Sequence, residues 1–347
     1  MTGRAAARRR WLLPGAAALL LVAGGGVGAW TYTTHREVQQ TGIKVYKALE
    51  DDGMPLRPGV LDDPVFRALP APAQPPSLGR YVPPKGQAAP AGASAPTPGP
   101  FIERDSSAQL ARRKVHILLI GNDQPALGRG RGDTLLSLTF DPVARTLYFL
   151  SIPRDTRIEL PGHGLVKINA AYAYGGASLQ TTAVERFLGV PFDKYVEVSL
   201  DGFVQAIDAV GGVDVDSALD FELDGQHITR GRLHLAGEQA LAYARMRHDD
   251  PQGDLGRNAR QQQVVRALMR ALGGLDTPEL TRVLGRLSDS VRTNFSPSEV
   301  VKLRAAHAYM LDHQTAERVR GENRKIGGVW YYVVPDRERQ RLNLLLR

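Results

Sequence analysis

The feature that most constrains this chain lies at its start. From Trp11 to Trp30 the sequence WLLPGAAALLLVAGGGVGAW carries no charge, and Arg4, Arg8, Arg9 and Arg10 precede it. At helical rise this stretch spans about 30 Å, the thickness of a bilayer core. A tryptophan marks each end, where aromatic rings prefer the membrane interface. The arginines on the N-terminal side predict that residues 1–10 are cytoplasmic and 11–30 a transmembrane helix. A cleaved signal peptide is the other reading. Its apolar core is usually shorter, about 7–15 residues, and Ala29-Trp30-Thr31 is a poor small-residue cleavage site. Both readings export everything after residue 30, and the first makes the chain a single-pass protein of the cell membrane.

Export narrows what the composition can mean. A formal charge of +8 suits nucleic acid, an anionic membrane or an anionic substrate. An exported domain seldom meets nucleic acid, so no nucleic-acid partner is expected. The chain has no cysteine, which excludes a disulfide framework, a thiolate metal site and a cysteine nucleophile. Between Pro70 and Pro100 ten prolines are interleaved with alanine and glycine. Such a stretch is disordered or polyproline II. Residues 31–107 are read as an extracytoplasmic linker that holds a folded domain, 108–347, off the membrane.

Within that domain, apolar runs at Val115–Gly121, Leu135–Phe140, Thr146–Ile152, Tyr195–Leu200 and Val329–Val334 read as strands. Helical periodicity or capping places helices at Ala177–Leu188, Asp201–Val210, Gly237–Ala244, Leu255–Leu272, Pro278–Leu287 and Pro297–Leu311. Asp201 and Asp254 are the expected N-caps of the second and fourth. Strands alternating with helices predict a layered α/β domain.

Four stretches carry the candidate chemistry. Asp123 lies two residues past the first strand and is followed by a loop with Arg131 and Asp133. Two carboxylates around such a loop suit a magnesium ion that bridges to phosphates; a turn residue and a cap are the plainer reading. Ser151-Ile152-Pro153-Arg154-Asp155 leaves a strand end, where α/β folds place ligands. Lys167 to Gly176, KINAAYAYGG, supplies a cation, an amide and two phenols before a glycine break. The fourth is Leu241–Gln263, with four arginines and three aspartates. If extended, it points Arg245 and Arg247 to one face, while Arg257 and Gln261 share a helix face with Arg260 on its flank. Converging guanidiniums offer rigid donor forks to phosphate oxygens. A solvated, salt-bridged surface involving Asp249, Asp250 and Asp254 is the alternative.

Taken in order, ILLIGND, RGDTLLSLTFDP, LSIPRDTRIEL, KINAAYAYGG, VEVSLDGFVQAIDAVGGVDV and ALAYARMRHDDPQGDLGRNARQQQVV resemble the LytR-CpsA-Psr family, extracytoplasmic bacterial enzymes that attach glycopolymers to the cell wall. The resemblance spans roughly residues 113–335. Gly132 departs from it, standing where a serine commonly precedes the aspartate. The resemblance implies an α/β/α domain with a central mixed sheet. It implies Mg²⁺-dependent transfer of a phosphoglycosyl polymer from a polyprenyl-pyrophosphate carrier to peptidoglycan, with membrane lipid as a further partner. Asp123 and Asp133 match its metal-linked carboxylates. Arg154, Arg245, Arg247 and Arg257 match its pyrophosphate-binding arginines, and Gln261 a polar partner beside Arg257. Arg131, Lys167 and Tyr174 are further candidates near the phosphates or first sugars. Asp133 and Asp155 are the candidate proton acceptors. A tunnel for the lipid tail would draw on Leu135, Leu147, Phe149, Phe187, Phe203, Val204, Ile207, Val264, Val265 and Leu268. Two other functions use the same residues: a pyrophosphatase with water as acceptor, and a non-catalytic lipid-carrier or cell-wall binding regulator.

Overall fold

The computed structural model describes residues 63–67, 69 and 112–347, with 129, 288 and 296 excepted. The expected membrane span and the basic residues before it lie outside this range, as does most of the proline-rich linker. Among the described residues no helix is long and apolar enough to cross a membrane.

The domain is built from strands that alternate between two buried faces. In β1 (Val115–Asn122), Leu118 and Ile120 enter one core while Val115 and Ile117 enter another. A strand buried on both sides needs a layer against each. β2 (Gly132–Asp141) and β3 (Thr146–Ile152) follow as antiparallel neighbours, and β4 (Arg157–Leu160) and β5 (Gly164–Lys167) form a separate hairpin. Helix α1 (Ala170–Leu188) then leads to β6 (Lys194–Val198), which pairs parallel to β1. A smaller unit comprises α2 (Leu200–Ala209), β7 (Val213–Ser217), β8 (Phe221–Leu223), β9 (Gln226–Ile228), β10 (Gly231–Leu235) and α3 (Gly237–Arg245). Helices α4 (Asp254–Gly274) and α5 (Thr277–Arg286) come next, then β11 (Val291–Thr293), α6 (Pro297–His307) and β12 (Gln314–Arg318). A hairpin, β13 (Glu322–Ile326) and β14 (Val329–Val333), precedes α7 (Asp336–Leu346).

The central sheet has six strands in the order β11-β6-β1-β2-β3-β12 and is mixed. One face is covered by α1 and α7 through Val184, Phe187, Leu342 and Leu346. The other is covered by α4 and α6 through Val265, Met269 and Leu303. A third apolar cluster joins α2, α3 and α4 around Ile207, Tyr243 and Val264. Gln262 locks α4 to the sheet, its Nε2 donating to the carbonyls of Phe149 at 2.5 Å and Glu317 at 3.1 Å.

Several local expectations need correction. Ser199, not Asp201, caps α2, its hydroxyl accepting from the Gly202 amide at 3.1 Å. Gly253 is the N-cap of α4, which frees the Asp254 side chain for ion pairs. α1 starts at Ala170, seven residues early, and takes non-helical torsions at Gly175 and Gly176. β12 and α7 were unexpected. β12 has no apolar residue larger than Ala316 and is mostly exposed, so it carries no alternation to read. One piece of the expected linker packs on the domain. Phe66 is buried, Asp63 pairs with Arg339 at 2.8 Å, and the Gln340 Nε2 donates to the Val65 carbonyl at 2.8 Å.

Candidate active site

The C-terminal ends of β1 and β3 and the start of β2 meet at one edge of the sheet. The β1–β2 register slips there: Gly121 faces Thr134 but Asn122 faces Gly132. Asp133 is the extra residue of this bulge, a device that re-aims a side chain. The β2–β3 pairing continues from Leu135 opposite Ile152, which brings Asp133 beside Arg154. The two form an ion pair through Arg154 Nη1 and Asp133 Oδ2. The other carboxylate oxygen accepts from Asn169 Nδ2 at 2.8 Å. Asn169 is the N-cap of α1, yet its side chain makes no cap hydrogen bond. It is held at the site by its amide donating to the Arg154 carbonyl at 3.2 Å, and by Ile168 donating to the Thr156 carbonyl at 2.8 Å.

Helix α4 brings the remaining groups. Asp254 Oδ1 lies 2.8 Å from Arg257 Nη2 and 3.8 Å from Arg154 Nε. The result is a chain of alternating charge, Asp133, Arg154, Asp254 and Arg257. Burial opposes the charge on Arg154, but Asp133 and then Asp254 outweigh it and raise its pKa. Arg257 is shifted the other way. Burial lowers its pKa first; Asp254 opposes, while Arg154 and Arg247 push in the same direction as burial. Arg257 is only 6% exposed, and its Nε and Nη2 have no hydrogen-bond partner. The contact with Asp254 is an ion pair without hydrogen-bond direction. Arg154 Nε is also buried and unpartnered. Unpaired buried guanidinium donors are costly. Three such N–H groups on adjacent arginines form an acceptor-seeking pocket that suits the oxygens of a phosphate or pyrophosphate.

The other sequence-derived candidates divide. Asp123 closes the 123–131 loop: its Oδ1 accepts from the Arg131 amide at 2.8 Å and from Gln124 Nε2 at 3.2 Å. Gly130, at φ 96°, is required there, since a Cβ would stand 2.2 Å from Asp123 Oδ1. The Arg131 side chain is exposed. Lys167 pairs with Asp155 at 2.8 Å, one residue beyond Arg154. Tyr174 is half exposed and stacks on His163 at 4.3 Å. Gln261 is half-buried one turn after Arg257. Arg245 and Arg247 do not point inward together. Arg245 ends α3 instead of lying in an extended strand, is exposed, and pairs with Asp224 at 2.8 Å. Arg247 is exposed but near enough to depress Arg257. Arg260, read as a flanking residue, is buried and satisfied: it binds Asp250 and donates to the carbonyls of Tyr243, at 2.9 Å, and Met246.

The tunnel candidates do not share one wall. Leu135 and Phe187 lie on the α1 side of the sheet, and Leu147, Phe149 and Val265 on the α4 side. Phe203, Ile207, Val264 and Leu268 belong to the third cluster, and Val204 lies against Gly237.

The sequence marks Asn169 only as a motif amide, and Asp254 as a cap or a surface ion-pair partner; the structure brings both to the site. Tyr172, one of the two phenols of the KINAAYAYGG stretch, has a structural part of its own. Its hydroxyl donates to the buried Glu197 and accepts from Asn122 Nδ2 at 3.1 Å and the Gly128 amide at 3.3 Å, tying the 123–131 loop to α1. Among the described residues no three His, Cys, Asp or Glu side chains gather around a metal position. Asp133 retains lone pairs beyond those used by Arg154 and Asn169. The donor set therefore fits Mg²⁺ in the form that takes one or two carboxylates and completes its shell with substrate oxygens and water. It does not fit a dedicated protein cage.

Comparison with known proteins gives a consistent outcome. The LytR_cpsA_psr family profile matches residues 94–346. Over 238 residues the chain is 40% identical to the protein named polyisoprenyl-teichoic acid–peptidoglycan teichoic acid transferase TagU of Bacillus mycoides, covering 67% of this chain and 78% of that one. The crystal structure of B. subtilis TagV superposes with a TM-score of 0.62 at 34% identity, over 68% of this chain and 96% of that one. A structure described as TagT bound to LIIa-WTA, TagT being a B. subtilis protein, gives a TM-score of 0.59 at 27% identity, over 71% and 92%.

Proposed function

The chain belongs to the LytR-CpsA-Psr family, and from that premise we propose that it transfers a phosphoglycosyl polymer from a polyprenyl-pyrophosphate carrier to peptidoglycan, at the outer face of the cell membrane. The observation that carries this reading is the pairing of the buried Arg257 with the half-buried Arg154, whose buried nitrogens Arg257 Nε, Arg257 Nη2 and Arg154 Nε have no hydrogen-bond partner. A relative named as a teichoic acid transferase supports it, as does a related structure described as TagT bound to LIIa-WTA.

In the proposed reaction a hydroxyl of peptidoglycan attacks the phosphorus that bears the glycan. The bond from that phosphorus to the bridging oxygen breaks, polyprenyl phosphate leaves with the bridging oxygen and the bond electrons, and a phosphodiester forms. Negative charge grows on the bridging and equatorial oxygens. Arg257 and Arg154 aim fixed donors there, and such preorganised charge is the main lever in phosphoryl transfer. Arg247, exposed at the rim, attracts the anionic donor; Arg245 joins only by leaving Asp224. The hydroxyl proton goes to Asp133, which lies against Arg154, whereas Asp155 is committed to Lys167. Asn169 holds the Asp133 carboxylate in place. Mg²⁺ would be held by Asp133, with Asp123 as the second carboxylate, and would neutralise pyrophosphate charge. Tyr174, Lys167, Arg131 and Gln261 are left to the sugars and the outer phosphate. The lipid tail would run among the apolar residues on the α4 side, where Leu268 joins the third cluster to the one around Val283 and Leu287.

The test is transfer from a short-chain lipid-pyrophosphoryl glycan to peptidoglycan. Chelation of divalent ions should stop product formation and Mg²⁺ should restore it. An Arg257→Gln chain that transfers at the full rate would overturn the reading. Release of free phosphorylated glycan with none bound to peptidoglycan would make water the acceptor and the protein a pyrophosphatase. Donor bound but never consumed would leave a binding regulator.

A further inference from the structure

The hairpin β13–β14 ends in a tip unlike those of most soluble hairpins. Ile326 pairs with Val329, so Gly327-Gly328 is a two-residue loop. Their φ values of 57° and 82° are the left-handed pair that a type I′ turn requires. Surface turns normally carry polar residues. From Ile326 to Trp330 this tip has none, and it exposes Val329 by 44% and Trp330 by 57%. Cross-strand pairing sets Lys325 opposite Trp330 and Arg324 opposite Tyr331, so cations rim the apolar end.

The base of the hairpin is fixed beside the arginine cluster. Tyr332 is buried; its amide donates to the Asp155 carbonyl at 2.8 Å and its hydroxyl to the Val319 carbonyl at 3.0 Å. The Arg157 guanidinium stands 5.7 Å from the Tyr331 ring. Asp155 directly follows Arg154. Trp330 lies two residues beyond this anchor, about 7 Å further out at strand rise. The neighbouring hairpin adds Leu165, 53% exposed, on the same outward face as Arg157 and Lys167. Across the four strands Arg157, Lys167, Arg324 and Lys325 stand against Glu159 and Glu322.

We propose that the Ile326–Trp330 tip inserts into the surface of an anionic lipid bilayer and sets the mouth of the arginine cluster against the membrane. The occupant follows from the chemistry. Apolar side chains with a tryptophan at the boundary and basic residues behind are what the headgroup region binds. A glycan would need several polar partners around the ring; only Lys325 stands opposite Trp330, and Ile326 and Val329 offer none. Read as a membrane span, the chain's own uncharged run, Trp11–Trp30, would hold this domain close to a bilayer. The effect on transfer rests on the lipid-linked donor proposed above; the docking itself does not.

The chain has three tryptophans, so Trp11→Phe with Trp30→Phe leaves Trp330 as the sole emitter. This full-length chain is placed in vesicles of phosphatidylcholine and phosphatidylglycerol, part of the phosphatidylcholine carrying brominated acyl chains. Trp330 emission is quenched by the brominated lipid, and Lys325→Glu with Val329→Ser relieves the quenching. Emission indifferent to brominated lipid overturns the proposal. So does emission that responds only to added soluble glycan strands, which would assign the tip to glycan. Trp330→Ser with Val329→Ser slows transfer from a vesicle-embedded donor about tenfold, and leaves the rate on a short-chain soluble donor unchanged. Equal slowing on both donors overturns the proposal. A wild-type chain that transfers from neither donor refutes the transferase reading, and the quenching measurement still decides the docking.

Discussion

Arg257 and Arg260 sit three residues apart on α4, are buried to the same degree, and live in opposite surroundings. Arg260 is saturated: Asp250, the Tyr243 carbonyl and the Met246 carbonyl take its donors. It joins the loop after α3 to α4. Arg257 has one ion pair and two N–H groups without a partner. Burial alone does not separate an anchor from a binding group. What separates them is whether the protein has already supplied the acceptors. The exposed Arg245 and Arg247 of the same stretch are a third case, in which surface neighbours, Asp224 and His248, each take one donor and the rest of the guanidinium faces outward.

The largest expected effect is on the saturated side. Arg260→Ala strands the Asp250 carboxylate and should cost about 3–5 kcal/mol of stability, read from the urea midpoint. Arg257→Gln should do the reverse. Transfer falls by on the order of a hundredfold to a thousandfold, while the stability measured by urea unfolding changes by less than about 1 kcal/mol. If Arg257→Gln unfolds the protein as Arg260→Ala does, the contrast between the two collapses.

His116 extends the same criterion to a titrating group. Burial, with Lys114 and Arg113, pushes its pKa down to about 4 against the pull of Asp193 and Asp141. The unfolded chain therefore binds more protons between its ordinary value of 6.5 and about 4. Stability is lost as pH falls through that window, by about 3 kcal/mol from this group, and the group adds nothing above it. His116→Gln should flatten that part of the curve; an unchanged slope would assign the acid sensitivity elsewhere.

Smaller effects test the unsatisfied atoms. Gln180 Oε1 is buried without a partner, and a Cβ on Gly132 would lie 3.0 Å from it. Gly132→Ser should place a hydroxyl donor there and raise stability by about 0.5–1 kcal/mol. A loss would mean that crowding against Ile120, 3.3 Å away, prevails. Smallest of all, Arg245→Ala should change stability by less than about 1 kcal/mol, because its pair with Asp224 is half exposed. It should also slow transfer less than Arg257→Gln.

β1, β2 and β3 were legible because strands buried on both faces leave apolar runs that no turn residue interrupts. The motif residues Asp133, Arg154 and Arg257 were legible as a set through the family resemblance. The sequence by itself determined the uncharged N-terminal run, the layered α/β class and the chemical types available at the strand ends, since these depend on composition and local periodicity. Only the tertiary structure decided which arginines face one another. A one-residue bulge aims Asp133, a cap shifted to Gly253 frees Asp254, and α3 continues to Arg245 and turns that side chain outward. Each is a matter of register between segments far apart in the chain, and local pattern does not encode register.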